Sequence, residues 1–349
     1  MQPVLRFVYL LPFQLLLIFS LLMPLADTAG AADILINNGL APPNPLNVID
    51  AADDYYSEHR VFVRNVGCPP GGSPGDPCPS PGAPTDVELV EGGLAGDMYI
   101  YDSSNLIMTG GFTFDVQTFN SASASLTGGR IVTAYAYDSS RISISSEEWL
   151  VEGGGFASDY ATITLDDARM EGISASGSST IIMLGGGAFE VDISGFSVLT
   201  MSGGDNGYLF AYDSAKIIII GGEPGTLFIH DFSTVTIRGR DFAVDGTPVP
   251  YGKPELVSLG YVLLTGTLAS GENLSTWIMQ VDPTATLRLI PEPSTSLLLT
   301  LGLAGLAVRR RWGHYCLAND EFASIETVSR GGEGMFGAQG ASDTGAPSM

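Results

Sequence analysis

Cationic side chains are scarce in this chain. Lys and Arg number 15 against 38 Asp and Glu in 349 residues, which leaves a formal net charge of −23. Binding nucleic acid takes clustered cations that neutralise phosphates. The scattered cations here sit in an overall field that repels both DNA and an anionic lipid surface. Nucleic acid is therefore excluded as a partner, and water, cations or neutral polymers are left. Charge of either sign is also low, 15% of residues against about 25% in ordinary globular domains. Glycine is what the chain has instead, 44 residues, nearly double its usual share of about 7%. That argues against a core built of helices. A hydrophobic fraction of 45%, regularly spaced, excludes wholesale disorder.

The two ends read as addresses. Residues 1–31 have the order of an export signal: Arg6 at the positive start, an almost wholly apolar stretch over residues 7–25, and Ala29-Gly30-Ala31 as a small-residue cleavage site. The apolar stretch is long enough to suggest an uncleaved anchor, but Pro12 and Pro24 interrupt it. The mature chain is expected to begin near Ala32, outside the cytoplasm. At the other end Pro291-Glu292-Pro293 precedes thirteen uncharged residues, 296–308, and then Arg309-Arg310-Arg311. An apolar run stopped by cations holds its basic end on the cytoplasmic side of a membrane. Thirteen residues fall short of the roughly 20 of a full span, so composition alone gives a short, transient membrane anchor. The proline pair keeps the preceding segment extended and open to a protease.

The string PEPSTSLLLTLGLAGLAVRRRW, residues 291–312, resembles the PEP-CTERM sorting signal of Gram-negative bacteria. The resemblance implies an exosortase as partner, a membrane protease-transpeptidase that cuts near the Pro-Glu-Pro and releases the protein or transfers it to the cell surface. It also implies an association with exopolysaccharide, biofilm or floc. The segment is sometimes labelled an ice-binding protein C-terminal domain, a label that says nothing about ice. Members of the family usually end soon after the arginines, whereas residues 313–349 continue here as a polar tail expected to be disordered. That tail is either an extension discarded on processing or a reading-frame artefact.

Between the ends the chain repeats itself. Gly-Gly pairs begin at Gly92, Gly110, Gly128, Gly185, Gly203 and Gly221, with Gly-Arg at Gly239, at intervals of 18 residues once three extra residues are placed near Gly153-Gly154-Gly155. Eight positions ahead of the glycine column, from the rung of Gly110 onward, lies a column of turn residues: Asp102, Asn120, Asp138, Asp159, Gly177, Gly195, Asp213 and Asp231. The residues between turn and glycine alternate. One inward column reads Leu106, Ala124, Ile142, Ile163, Ile181, Leu199, Ile217, Val235, and the next reads Met108, Leu126, Ile144, Leu165, Met183, Met201, Ile219, Ile237. A period of two with one apolar face is a β-strand, and a second strand precedes each turn, as at Met98 and Ile100.

These features predict an all-β fold, a single-stranded β-solenoid (β-helix) with an 18-residue rung, whose apolar ladders stack about 4.8 Å apart. Eight rungs over residues 84–242 make a rod of roughly 35 to 45 Å. Each Asp is expected to cap its own turn. An antiparallel sandwich is the competing fold, but hairpins would not repeat one turn chemistry at this interval. Residues 32–83, with a Pro/Gly-rich loop, are expected to cap the first rung and residues 243–290 the last. Cys68 and Cys78 in that loop are expected to form a disulfide in an exported chain, since two thiols without a further ligand make a poor zinc site. Cys316 is left over.

Candidates for chemistry are few. Several parallel β-helices cut acidic polysaccharides with a Lys or Arg base beside calcium-binding carboxylates. Here Arg130, Arg141, Arg169, Lys216, Arg238 and Arg240 are scattered, and a compact coil leaves little loop for a cleft. His230 falls in the column of Tyr101, Phe119, Tyr137 and Tyr212 and reads as a member of an aromatic ladder. Asp213 and Asp231 are neighbours at the regular spacing and form the one candidate calcium pair. Ice binding needs a flat Thr array, and the outward column Thr109, Thr127, Ser145, Asp166 loses it after two rungs. The expectation is a non-enzymatic, exported surface or matrix protein without a cofactor, whose partners are an exosortase and extracellular polysaccharide. A calcium-dependent polysaccharide-active enzyme is the alternative.

Overall fold

A computed structural model describes residues 34–36, 47–49, 60–66, 82–146, 151–252, 261–280 and 282–292. Contacts divide the chain after Glu292. The export segment, residues 1–31, and everything from Pro293 onward, including residues 296–308, Arg309, Arg310, Arg311 and the tail, lie outside the described residues. So do Cys68 and Cys78.

Among the described residues every regular element is a strand, and the strands form one continuous sheet. The pairings along the rod are parallel and advance by one rung each. Asn105 pairs with Ser123 and Ser123 with Arg141; Thr162 pairs with Thr180, Thr180 with Val198, Val198 with Lys216 and Lys216 with Thr234. A second ladder joins Met98, Val116, Ala134, Gly155, Ile173, Val191, Leu209 and Leu227. Hairpins cannot generate parallel neighbours, so this is the β-solenoid and not the sandwich.

Every residue of the two predicted inward columns is buried, from Leu106 and Met108 to Val235 and Ile237. Identical positions in successive rungs touch, so the core is a set of stacked aliphatic rows, and each fully buried Ile or Leu contributes about 1.5–3 kcal/mol of transfer free energy. The Gly-Gly corners make this spacing possible. Gly186 has φ +74°, and a Cβ there would lie 1.9 Å from the carbonyl oxygen of Ala168 on the preceding rung. Gly204 repeats the arrangement one rung later, with φ +86° and the Gly186 oxygen 2.7 Å from its would-be Cβ. Both the left-handed backbone and the absent side chain are required.

The three extra residues of the irregular rung are divided between two places. The offset to the preceding rung is 18 at Arg141, 20 at Val151 and 21 from Gly154 onward. One extra residue is thus a bulge between Val151 and Gly154, and the others enter before Val151, so the glycine triplet absorbs only part of the insertion.

The ladder continues past the regular repeat at both ends. Ile34–Ile36 pairs in parallel with Val61–Val63, which pairs with Met98–Ile100, and Asn47–Ile49 pairs with Asp86–Leu89. At the far end Thr234–Val244 turns back antiparallel to Tyr261–Leu268, which is antiparallel to Asn273–Gln280. This excursion returns the chain to the solenoid. Leu227 pairs in parallel with Ile278, and Thr234 with Thr286, so Asn273–Gln280 and Thr286–Pro291 make a last rung over the open end. Ile278, Leu287 and Leu289 of this rung, and Leu264 of the excursion, are buried.

Candidate functional site: the turn corner, the outer faces and the sorting junction

The turn column forms one corner of the rod, and all eight residues hold positive φ, from 52° at Asp231 to 68° at Gly195. Their side chains act between rungs. Asn120 Oδ1 accepts from the N–H of Asp102 (3.2 Å), Asp138 Oδ2 from that of Asn120 (2.9 Å), Asp213 Oδ2 from that of Gly195 (3.0 Å), and Asp231 Oδ2 from that of Asp213 (3.1 Å). Asn120, Asp138, Asp213 and Asp231 therefore each cap the turn of the rung before their own. This corrects the expectation that each Asp caps its own turn: the preceding corner's N–H, one rung below, is the donor within reach. The column also runs further than the repeat showed. Asn65 donates its N–H to Asp102 Oδ2 (3.4 Å), and Asp282 Oδ2 accepts from Asp231 (2.9 Å).

For the calcium pair Asp213 and Asp231, one carboxylate oxygen of each is engaged by a backbone N–H. Among the described residues no three His, Cys, Asp or Glu side chains gather as a metal site would need. The cross-rung bonds make a quantitative expectation. Asp138→Ala removes an acceptor and forces Ala into the left-handed region, at a combined cost of about 2–3 kcal/mol. Asp138→Asn, which repeats what Asn120 already does, costs less than about 0.5 kcal/mol. Urea denaturation of the two variants checks the difference, and equal midpoints would refute the capping role.

Two positions after the turn lies a column that spacing arguments had not singled out: Ser104, Ala122, Ser140, Ala161, Ser179, Ser197, Ala215 and Ser233, all fully buried. Ser140 Oγ donates to the carbonyl of Thr118 (3.1 Å), and Ser179 Oγ to that of Ala157 (3.1 Å). The corner admits only small residues, and its hydroxyls satisfy carbonyls at the bend. The strict Ser/Ala choice was visible in the sequence.

One position before the turn, aromatic rings stack along the rod. Tyr101, Phe119 and Tyr137 lie 4.8 and 4.9 Å apart at 13°. His230 stacks on Tyr212 at 4.8 Å and 22°, as its place in this column predicted. Arg64 sits over the Tyr101 ring at 5.2 Å and pairs with Asp102 at 3.4 Å.

The cations are spread over the surface. Arg130 pairs with Glu152, and Arg169 with Asp205 at 3.5 Å, and both pairs are open to solvent. Arg169 and Asp205 line an open groove of about 350 Å³ with Phe189, Asn206 and Gly207. Near it Glu190 and Asp192 share the outer face of Gly187–Ile193. Burial pushes the half-buried Asp192 carboxyl up to about 6, and the Glu190 carboxylate beside it adds to the rise. A carboxyl raised above its unfolded value of 3.8 favours the fold at low pH, and stability falls as pH climbs from about 4 to about 6. Asp192→Asn is therefore expected to gain roughly 1 kcal/mol at pH 7.5, after allowance for solvent screening, and nothing at pH 4. Thermal melts at both pH values test this, and an equal gain at both would refute it.

The last rung ends in the sorting signal. Within Thr286–Pro291, Leu289 pairs with Ile237, Ile290 with Arg238 and Pro291 with Gly239, and the Glu292 N–H donates to the Gly239 carbonyl at 3.3 Å. Pro291 offers no N–H and stands where strand pairing stops. The first two residues of the Pro-Glu-Pro are thus docked on the rod. Among the described residues no helix is long and apolar enough to cross a membrane.

Residues 289–311 match the PEP-CTERM protein-sorting motif. No curated protein and no solved structure matches the chain. The matched segment begins inside the last strand, two residues ahead of the Pro-Glu-Pro, so motif and solenoid share Leu289 and Ile290. Motifs of this kind mark proteins that are exported across the membrane and recognised by an exosortase, and this chain carries one at the end of a β-solenoid body.

Proposed function

We propose that the protein is a non-enzymatic structural or adhesive component of an extracellular polysaccharide matrix, delivered to the cell surface or beyond by exosortase processing. The observation that carries this reading is the continuity of the rod with its signal: two parallel ladders run its length, one from Ile34–Ile36 to Asn273–Gln280 and one from Asn47–Ile49 to Thr286–Pro291, and the second passes straight into the sorting motif. A rigid body with a uniform apolar interior supplies reach and durability, and the net charge of −23 keeps it soluble. Its outer columns of Ser, Thr and Asp offer hydroxyls and carboxylates to a hydrated polymer. In the native host the protein is expected to stay with isolated exopolysaccharide through washes in salt, and a strain lacking it to form a less cohesive matrix. Recovery only in the cell-free medium, with an unchanged matrix in the deletion strain, would count against the proposal.

The second reading, a calcium-dependent polysaccharide-active enzyme, draws on one observation: Asp192, raised to about 6 beside Glu190, is a carboxyl able to hold a proton near neutral pH. Incubation of the protein with its host's polysaccharide, with and without Ca²⁺, separates the two. New reducing or unsaturated chain ends support the enzyme, and an unaltered chain length supports the structural role.

A further inference from the structure

The three most exposed large hydrophobic side chains among the described residues are Phe196 (73%), Tyr160 (72%) and Phe232 (70%). They are not scattered. Each follows a turn residue, Asp159, Gly195 or Asp231, and so all three occupy one corner column. Ser178 and Ser214 fill that column on the rungs between. The backbone keeps the three in register: the N–H groups of Tyr160, Phe196 and Phe232 donate to the carbonyls of Asp138, Gly177 and Asp213 on the preceding rungs at 2.7–2.8 Å. Aromatic rings therefore recur on every second rung, about 9.5 Å apart, with a small hydroxyl residue in each gap.

This column differs from the other aromatics of the rod. The rings of Tyr101, Phe119 and Tyr137, and those of Tyr212 and His230, stack on one another at about one rung's spacing, which spends their faces on each other. The rings of Tyr160, Phe196 and Phe232 enter none of the ring contacts found among the described residues, so their faces are free. Exposing three large aromatic groups in a row carries a solubility cost and marks an interaction site.

We infer that Tyr160, Phe196 and Phe232 form a ridge that binds an extended, uncharged polysaccharide lying along the rod. This deepens the matrix reading above and rests on it. The C–H bonds of a pyranose face are slightly positive and pack on the electron-rich face of an aromatic ring. An extended β-linked hexose polymer turns alternate sugars over, so the same ring face recurs every second sugar, a distance comparable to two rungs. Ser178 and Ser214 lie between the rings, and Asp159, Asp213 and Asp231 stand beside them to meet sugar hydroxyls. The same exposed carboxylates, on a chain of net charge −23, repel a polyuronate. A neutral glycan is thus the occupant the charge selects.

The test uses the protein as secreted by its host, with cellulose and a soluble neutral β-glucan as probes and alginate as the anionic comparison. The wild type is expected to bind the neutral glucans and not alginate. Phe196→Ala, the central ring, is expected to weaken binding about tenfold, and the triple Tyr160→Ala, Phe196→Ala, Phe232→Ala variant to abolish it. Phe114→Ala, an exposed ring on the strand Asn105–Thr118 and in another column, is the control and leaves binding unchanged. All four side chains are exposed, so the thermal midpoints of these variants should match the wild type. Equal binding by wild type and triple variant would overturn the proposal, as would preference for alginate. So would concentration-dependent self-association that the triple variant loses, because the ridge would then serve a second copy of the chain. Retention in the native matrix is measured in parallel. A triple variant retained as firmly as wild type refutes the ridge and leaves the matrix role standing, whereas loss of wild type from the matrix refutes the matrix role itself.

Discussion

Ile181→Asp is expected to destabilise the solenoid by at least about 4 kcal/mol, the largest effect of any single substitution considered. Ile181 is fully buried and lies in register between Ile163 on one rung and Leu199 on the next. A carboxylate there has apolar neighbours above and below, so it either ionises without a partner or keeps its proton at the cost of a large pKa rise. A domain's whole stability is about 5–15 kcal/mol, and in a stacked repeat the loss acts on both adjoining interfaces. Leu184→Asp, three residues away on the exposed outer face, should change stability by no more than about 0.5 kcal/mol. Circular dichroism during urea titration reads both, and a mild effect at Ile181 would mean that the apolar rows are not the core.

The second large effect concerns processing. Replacement of Pro291, Glu292 and Pro293 by Ala is expected to leave the fold intact and to abolish exosortase cleavage. The strand pairing at this junction runs through backbone groups, and Ala in place of Pro291 restores an N–H at the strand end. The rod should therefore melt as before, while the C-terminal segment stays attached and the protein stays with the membrane fraction. Replacement of Arg309, Arg310 and Arg311 by Gln acts at a different step, since the cations hold the basic end on the cytoplasmic side. Immunoblotting of membrane, surface and medium fractions distinguishes the two. Normal release of the Pro-Glu-Pro variant would show that sorting does not depend on the motif.

Much of the fold was legible because a solenoid writes its geometry into the sequence as a period. The inward columns, the Gly-Gly corners and the left-handed turn residues each follow from a requirement repeated on every rung, so Ile163 and Ile181 or Asp213 and Asp231 announce one another. What the period concealed was whatever broke it. Asn65 and Asp282 belong to the turn column, but the residues inserted between Asn65 and Asp102 and the antiparallel excursion after Val244 remove both from the 18-residue count. The direction of the Asp side chains was hidden for another reason. An Asp capping its own turn and one capping its neighbour's occupy the same sequence position, and only the rung spacing decides between them. Tyr160, Phe196 and Phe232 recur at twice the repeat, a longer period that a search at 18 residues passes over.

The most direct test of the central claim, an exported solenoid sorted by its C-terminal motif, is the intact mass of the protein recovered from its native host, taken separately from surface and medium fractions. A mass running from about Ala32 to the Pro291-Glu292-Pro293 region is the predicted result, and it leaves the last rung, Thr286–Pro291, whole or nearly so. A mass extending from about Ala32 to Met349 would contradict it and make the protein an unprocessed, membrane-held rod.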